Sequence, residues 1–402
     1  MWIDNDMEVC MFKCIYCGIE KEDKFKSLEH IFPQSAGGGN LLTEKPFRTR
    51  NVCKTCNSTL GLYVDGLFLR SWLYSNLKTL DLDKFIDLYQ GTILPLSYMG
   101  IIDNLSNDEF LCDYWLGVSG ESIFHIHSNY DDKFITQIGG NVINRKKNPG
   151  TVYYIPSNIN SPWGLTCLKS LKDQFNRQRI IGLNTKIVNG TIKIFDEPIE
   201  SEKNKWNELK QYLNDNYNEN EYVKATVRSK IGFEHRFLAK LAIGIGYNLL
   251  GPSYLQTNSY MDLRKMLWSQ DLTQREELKI HGSDFSNNIE LEEPLKSICR
   301  NDCATIMISI DGDIYSLIVS FGGKLNFSIM FLDPQKETSP KFTHSKTCNI
   351  YYVFKQIGKA FGPFSDVELI SHITNTNPIA ELRYIDNLKS NPCPLPIRVI
   401  MT

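Results

Sequence analysis

Apolar and polar residues follow several different rhythms along the 402-residue chain. The N-terminal part is irregular and cysteine-rich, and it closes in CKTCNSTLGLYVDGLFLRSWLYSNL. There Leu60, Val64, Leu67, Phe68 and Trp72 recur at helical spacing. From about 85 to 200 short alternating or β-rich runs such as FLCDYWLGV, SIFHIHS, FITQIGGNVI and GTVYYIPS are broken by Gly, Asn and Pro, which predicts a hairpin-linked sheet. One helix, GLTCLKSLKDQFNRQR, interrupts it. A polar stretch, 196–225, reads as a helix and a linker. The strongest helical period spans 226–250, carried by Ile231, Phe233, Phe237, Leu238, Leu241, Ile245 and Leu249 and stopped by Gly251-Pro252. Residues 258–280 read as helical again. Asp311-Gly312 between two apolar runs predicts a hairpin over 303–322, and 326–402 is mixed with a Pro-rich end.

These rhythms predict an α+β protein with an N-terminal unit over 1–75, a β-rich domain over 76–222 and an α+β C-terminal domain over 223–402. An apolar fraction of 42% with 11% aromatics is that of a buried, globular chain. The net charge of −2 excludes a general polycation, so any affinity for nucleic acid has to come from local patches. MWIDNDMEVC has acids and no basic leader before an apolar run, so no signal peptide is expected. FLAKLAIGIGYNLLG is too short for a membrane span and contains Lys240, so it reads as a core helix. A cytoplasmic location without membrane contact is the expectation.

Five of the eleven cysteines fall within the first 56 residues. Cys14-x2-Cys17-Gly18 and Cys53-x2-Cys56 each have the spacing of a knuckle, in which a tight turn aims two thiolates at one ion. Two knuckles supply the four soft ligands of a closed tetrahedral Zn²⁺ site. Cys10 stands off the pattern. Such a site has no open position and cannot itself activate water.

Between the knuckles, SLEHIFPQSAGGGN carries Glu29 and His30 ahead of a Gly-rich turn, and RNVCKTCNSTLG follows. LEHIFPQSAGG with RNVCKTCNSTLG resembles the HNH nuclease motif in its zinc-bound ββα-metal form. The resemblance implies that His30 is a general base, that Glu29 and Asn57 bind Mg²⁺ or Mn²⁺, and that Asn51 steadies the loop. Asn40 competes with Asn51 for that last role. Imidazole suits proton abstraction near neutral pH, and Glu29 and Asn57 offer hard oxygen donors, unlike the thiolates. Glu stands where Asp is most frequent in the family, and Asn57 where many members have His. The competing reading is a catalytically silent zinc-finger module that binds nucleic acid or assembles partners, with Glu29-His30 a surface pair and Asn57 a cap. Asp65 is expected to brace the helix.

Residues 143–190 hold eight Lys or Arg against one acid, Asp173. Arg145, Lys146, Lys147, Arg177 and Arg179 are the DNA-binding candidates in this stretch, with a solvated sheet rim as the alternative. His125 and His127 share one strand face, a spacing that metals can use and that Glu121 could join, but without a second acid or Cys pair they read as a buried or hydrogen-bonded pair. Cys299 and Cys303 read as buried thiols, and Arg264 as an amphipathic-helix residue. The segment 228–267 loosely resembles the helical region of bacterial HNH proteins, some linked to phage defence. That similarity implies an endonuclease or nickase acting in defence, with a homo-oligomer or other defence proteins as partners.

Overall fold

The computed structural model describes residues 10–41, 46–70, 74, 96–117, 120–129, 146–156, 164–182, 195–216, 225–228, 234–269, 293–312, 314–323, 325–337 and 346–388. They fall into two compact units. The first joins Met1–Leu69 to Gly232–Asn387, and the second comprises Arg70–Ile231 with Leu388–Thr402. The first unit is therefore discontinuous, an arrangement that three consecutive domains do not express.

The first unit opens with a small hairpin, β1 (Met11–Lys13) and β2 (Glu20–Glu22), which carries the first cysteine knuckle at its turn. A second antiparallel hairpin, β3 (Lys26–His30) with β4 (Arg48–Cys53), runs directly into α1 (Lys54–Leu60), giving a ββα finger. The Gly-rich turn is sterically required. Gly37 has φ +102°, and a Cβ at Gly38 would fall onto the Phe32 carbonyl oxygen. After a π-turn at Gly61–Asp65 comes α2 (Gly66–Arg70).

In the second unit β5 (Ser97–Ile101), β6 (Phe110–Leu116), β7 (Ser122–Ser128) and β8 (Gly150–Ile155) form an antiparallel run. The helix α3 (Gly164–Gln174) then leads to β9 (Arg179–Gly182), parallel to β8. Leu168, Leu171 and Phe175, on α3 and just beyond it, pack with Trp115, Ile123, Val152 and Ile180 on one sheet face. Leu209 and Tyr212 of α4 (Glu200–Asp215) pack with Cys112, Phe124, Ile126 and Tyr153 on the other. The expected strand 134–143 lies outside the described residues.

Back in the first unit, α5 (Glu234–Leu250) and α6 (Asn258–Trp268) precede a five-stranded antiparallel sheet. Its strands are β10 (Ala304–Asp311), β11 (Ile314–Phe321), β12 (Leu325–Leu332), β13 (Thr347–Phe354) and β14 (Lys359–Phe364), in the order β12-β11-β10-β13-β14. The hairpin expected at Asp311-Gly312 is β10–β11. Phe68 is fully buried and ties the finger to this core, stacking on Phe237 at 4.0 Å and tilting onto Phe321 at 5.8 Å. Two helix bounds differ from the sequence expectation. Residues 226–228 are not helical, because Arg228 exchanges backbone hydrogen bonds of 2.7 and 3.0 Å with Ile101. The helix expected over 258–280 turns extended at Ser269 (ψ 133°). Among the described residues, no helix is long and apolar enough to cross a membrane.

Candidate active site of the zinc-knuckle finger

The four cysteines converge. One sulfur from each of Cys14, Cys17, Cys53 and Cys56 lies within 4.8 Å of the others, and all but Cys17 are buried. Gly18, at φ +70°, follows the first knuckle and donates its N–H to the Cys14 carbonyl at 2.8 Å. The Cys53 N–H donates to Cys14 Sγ and the Cys56 N–H to Cys53 Sγ, at 3.4 and 3.5 Å, so the second knuckle also caps α1. The Cys14 thiol is drawn down to about 4, foremost by the hydrogen bond from Cys56, which in turn pushes Cys56 up. Burial raises Cys17. Crowded sulfurs with one favoured thiolate and protons on the neighbours are a donor set that a soft divalent cation satisfies by replacing the protons. Four sulfurs so placed are positioned for zinc, which when bound cross-links β1–β2 to the start of α1.

His30 ends β3 and is half-buried. Burial first, and the Lys240 ammonium second, lower its pKa, which favours the neutral ring. The Gln34 amide nitrogen lies 3.1 Å from its Nε2, and since an amide N–H donates, Nε2 is the accepting nitrogen. Arg48 is its direct cross-strand partner and is exposed, so an arginine leaves the hairpin on the same face as the imidazole. Sequence spacing gave no hint of this pairing, which depends on the register of β3 against β4.

Glu29 points the other way. It is 2% exposed, its Oε1 accepts from Lys240 Nζ at 2.7 Å and the Tyr16 hydroxyl stands 3.5 Å away. The same ammonium reaches Asp65 Oδ2 at 2.6 Å and the His30 carbonyl at 3.5 Å. Lys240 is 1% exposed. Desolvation alone would lower its pKa, but Asp65 and Glu29 together hold it above the usual lysine value. A carboxylate so enclosed does not fit a divalent ion, because a second cation beside the ammonium is repelled and finds no open face. Asp65 thus braces more than its own helix.

Asn57, partly exposed, donates through Nδ2 to the Leu28 carbonyl at 2.8 Å and Ser27 Oγ at 3.1 Å, tying α1 to β3. Its Oδ1 accepts neither bond and is a hard-oxygen donor. Asn51 sits at the irregular register of β3–β4 and donates to the Tyr247 hydroxyl on α5 at 2.8 Å. The side-chain contact with strand β3 therefore comes from Asn57, while the Asn51 side chain anchors a helix from the distant half of the unit. Asn40 lies in the turn, where its N–H donates to the Gly37 carbonyl at 3.0 Å.

The basic candidates of the second unit have separate fates. Arg145 lies outside the described residues. Lys146 is held over the Trp115 ring at 4.4 Å and donates to Gln174, and Arg179 donates to Glu202 at 2.7 Å. Lys147 and Arg177 are exposed. Glu121 is buried just before β7, Cys299 and Cys303 are buried thiols, and Arg264 lies on α6 beside Gly18.

Residues 14–73 match the family model described as HNH endonuclease. The match covers the two knuckles, the β3–β4 hairpin, α1 and α2, which defines an N-terminal HNH endonuclease domain with a four-cysteine site placed for zinc. No curated protein and no solved structure matches the chain. An HNH domain implies a nucleic-acid substrate and a nuclease activity.

Proposed function

We propose that the protein is a metal-dependent HNH endonuclease or nickase that hydrolyses DNA phosphodiester bonds. The observation that carries this reading is His30, a half-buried imidazole kept towards its neutral form at the end of β3, within a segment that matches the HNH family. In this reading Nε2 of His30 takes the proton of the attacking water once that water replaces Gln34. Arg48 contacts a phosphate beside the cut, since it leaves the same hairpin face. Asn57 holds the strand end through Leu28 and offers Oδ1 to the Mg²⁺ or Mn²⁺ that lowers the cost of charge on the scissile phosphate. Zinc at the four cysteines has a purely structural part. Glu29 joins the ion only in an arrangement where Lys240 has withdrawn. Lys147 and Arg177 remain candidates for sequence-independent DNA contact. Phage defence, with other defence proteins or a second copy as partners, is the setting that the loose similarity of the α5–α6 region suggests.

The Glu29–Lys240 pair favours a second reading, a zinc finger that binds nucleic acid without cutting it. Plasmid nicking by the full chain in Mg²⁺ or Mn²⁺ separates the two. Loss of at least 100-fold in rate in His30→Ala, with DNA binding retained, is the expected result for a general base (about 10²–10⁴-fold). Nicking that survives His30→Ala removes the base assignment, and DNA binding without nicking in any divalent ion favours the second reading.

A further inference from the structure

In the second unit, β6 and β7 carry Asp113, His125 and His127, none more than 1% exposed. Asp113 lies directly opposite His125 in the antiparallel register and His127 follows two residues later, so the three side chains leave one sheet face. That face is the one covered by α3 and the residue just past its end. The His125 ring meets Phe175 at 5.2 Å and His127 at 4.6 Å between centroids. One ligand atom from each of the three residues lies within 4.8 Å of the other two.

Hydrogen bonds decide which atoms face the centre. The Ser128 carbonyl is 2.9 Å from His127 Nδ1, closer than the Asn148 amide nitrogen at 3.4 Å. A carbonyl oxygen only accepts, so Nδ1 carries the hydrogen. In the neutral ring this leaves a lone pair on Nε2, and Nε2 faces Asp113 Oδ2 at 3.1 Å. The Tyr98 hydroxyl donates to the other carboxylate oxygen at 3.2 Å. A lone pair and a carboxylate oxygen in a dry interior repel each other unless positive charge lies with them. A proton would serve that one pair, whereas a divalent ion serves all three donors at once. The partners behind the donors are those that orient metal ligands elsewhere: a backbone carbonyl on the far nitrogen of a histidine and a hydroxyl on a carboxylate.

We propose that Asp113, His125 and His127 bind a transition-metal ion, with Zn²⁺ the first candidate, as a second metal site separate from the cysteine knuckles. Two imidazoles and a carboxylate suit Zn²⁺ better than Mg²⁺ or Ca²⁺. Zinc bonds of about 2.0–2.2 Å put tetrahedral ligands roughly 3.3–3.5 Å apart, a spacing that the 3.1 Å between His127 Nε2 and Asp113 Oδ2 already approaches and that small side-chain rotations bring to all three donors. The ion pins β6 to β7 beneath α3. This inference does not depend on the nuclease reading.

The test uses the full chain, stripped and titrated with Co²⁺ alone. Two equivalents are expected: one with the intense near-ultraviolet charge-transfer bands of thiolate ligation, the other with only the weak visible bands of nitrogen and oxygen ligation. Cys14→Ser/Cys17→Ser keeps the second kind, and Asp113→Asn and His127→Gln each lose it. Zinc content by mass spectrometry follows the same pattern, two ions per wild-type chain falling to one. Uptake that ends with the thiolate-bound ion overturns the site, as does a nitrogen-ligated ion held at full occupancy by both Asp113→Asn and His127→Gln. The unsubstituted chain decides the question even where a variant fails to fold.

Discussion

Lys240 is the residue on which the finger depends most. It lies among the buried apolar residues of α5, and its ammonium neutralises two carboxylates that the finger buries. Removing one partner of a buried ion pair leaves uncompensated charge and costs about 3–5 kcal/mol. Lys240→Met should lower unfolding stability by that amount in denaturant melts, and adding Glu29→Gln should restore part of it. Additive losses in the double variant would show that the pair is not coupled. Asp65 gives a pH signature. Burial pushes its carboxyl up to about 6 despite the ammonium beside it, above the unfolded value of about 3.9. A folded pKa above the unfolded one means that the contribution of Asp65 is full below about pH 4 and is lost as pH rises through about 6. Asp65→Asn, always neutral, is spared that loss. Its stability relative to wild type should therefore rise by on the order of 2 kcal/mol between pH 4 and pH 8, and a difference that stays flat with pH contradicts the assignment.

Among the elements, α5 meets the finger along one stripe. Lys240 reaches Glu29, Gly244 faces Ile31, Tyr247 accepts from Asn51, and Asn248 donates to the Pro46 and Arg48 carbonyls at 2.7 and 2.8 Å. These positions follow the i, i+4, i+7, i+8 spacing of one helix face. At Gly244 a Cβ would come within 2.7 Å of Ile31, which is fully buried and directly follows His30. Gly→Ala in a helix ordinarily gains about 1 kcal/mol. Here overpacking of about 1–3 kcal/mol opposes it, so Gly244→Ala should be neutral to destabilising and should reduce nicking through the shifted His30 strand. A melting temperature raised by the substitution would mean that Ile31 has room to move. The cysteine knuckles and the E-H pair were legible in the sequence because their chemistry is local: a C-x2-C turn and adjacent residues on one strand. The stripe was not, since its period reads equally as core packing and its partners lie about two hundred residues upstream. Asp113 escaped for a related reason: register, not spacing, sets it opposite His125.

For the molecule as a whole, the order of the chain and the order of assembly differ. The HNH segment lies in a unit whose other half begins at Gly232. Residues 1–75 alone keep both zinc knuckles but lack Lys240, Tyr247, Asn248 and the stacking partner of Phe68. The fragment should bind zinc at the four cysteines yet show exchange-broadened resonances for β3 and β4, and it should lack the nicking activity proposed for the full chain. A fragment with sharp, dispersed resonances throughout would show that the finger stands without α5. The four sulfurs come from within about forty residues of one another, so this site alone can be complete before the rest of the unit exists.

Lys240 follows its partner Asp65 by 175 residues. At a ribosomal rate of about 5–20 residues per second, roughly 9–35 s separate their synthesis. Throughout that interval the nascent finger lacks the ammonium that pairs Glu29 and Asp65, and its β3 strand lacks the Ile31–Gly244 packing. On the proposed nuclease reading, a finger that lacks its supporting helix until more than half the chain has been translated should be inactive while it is being made.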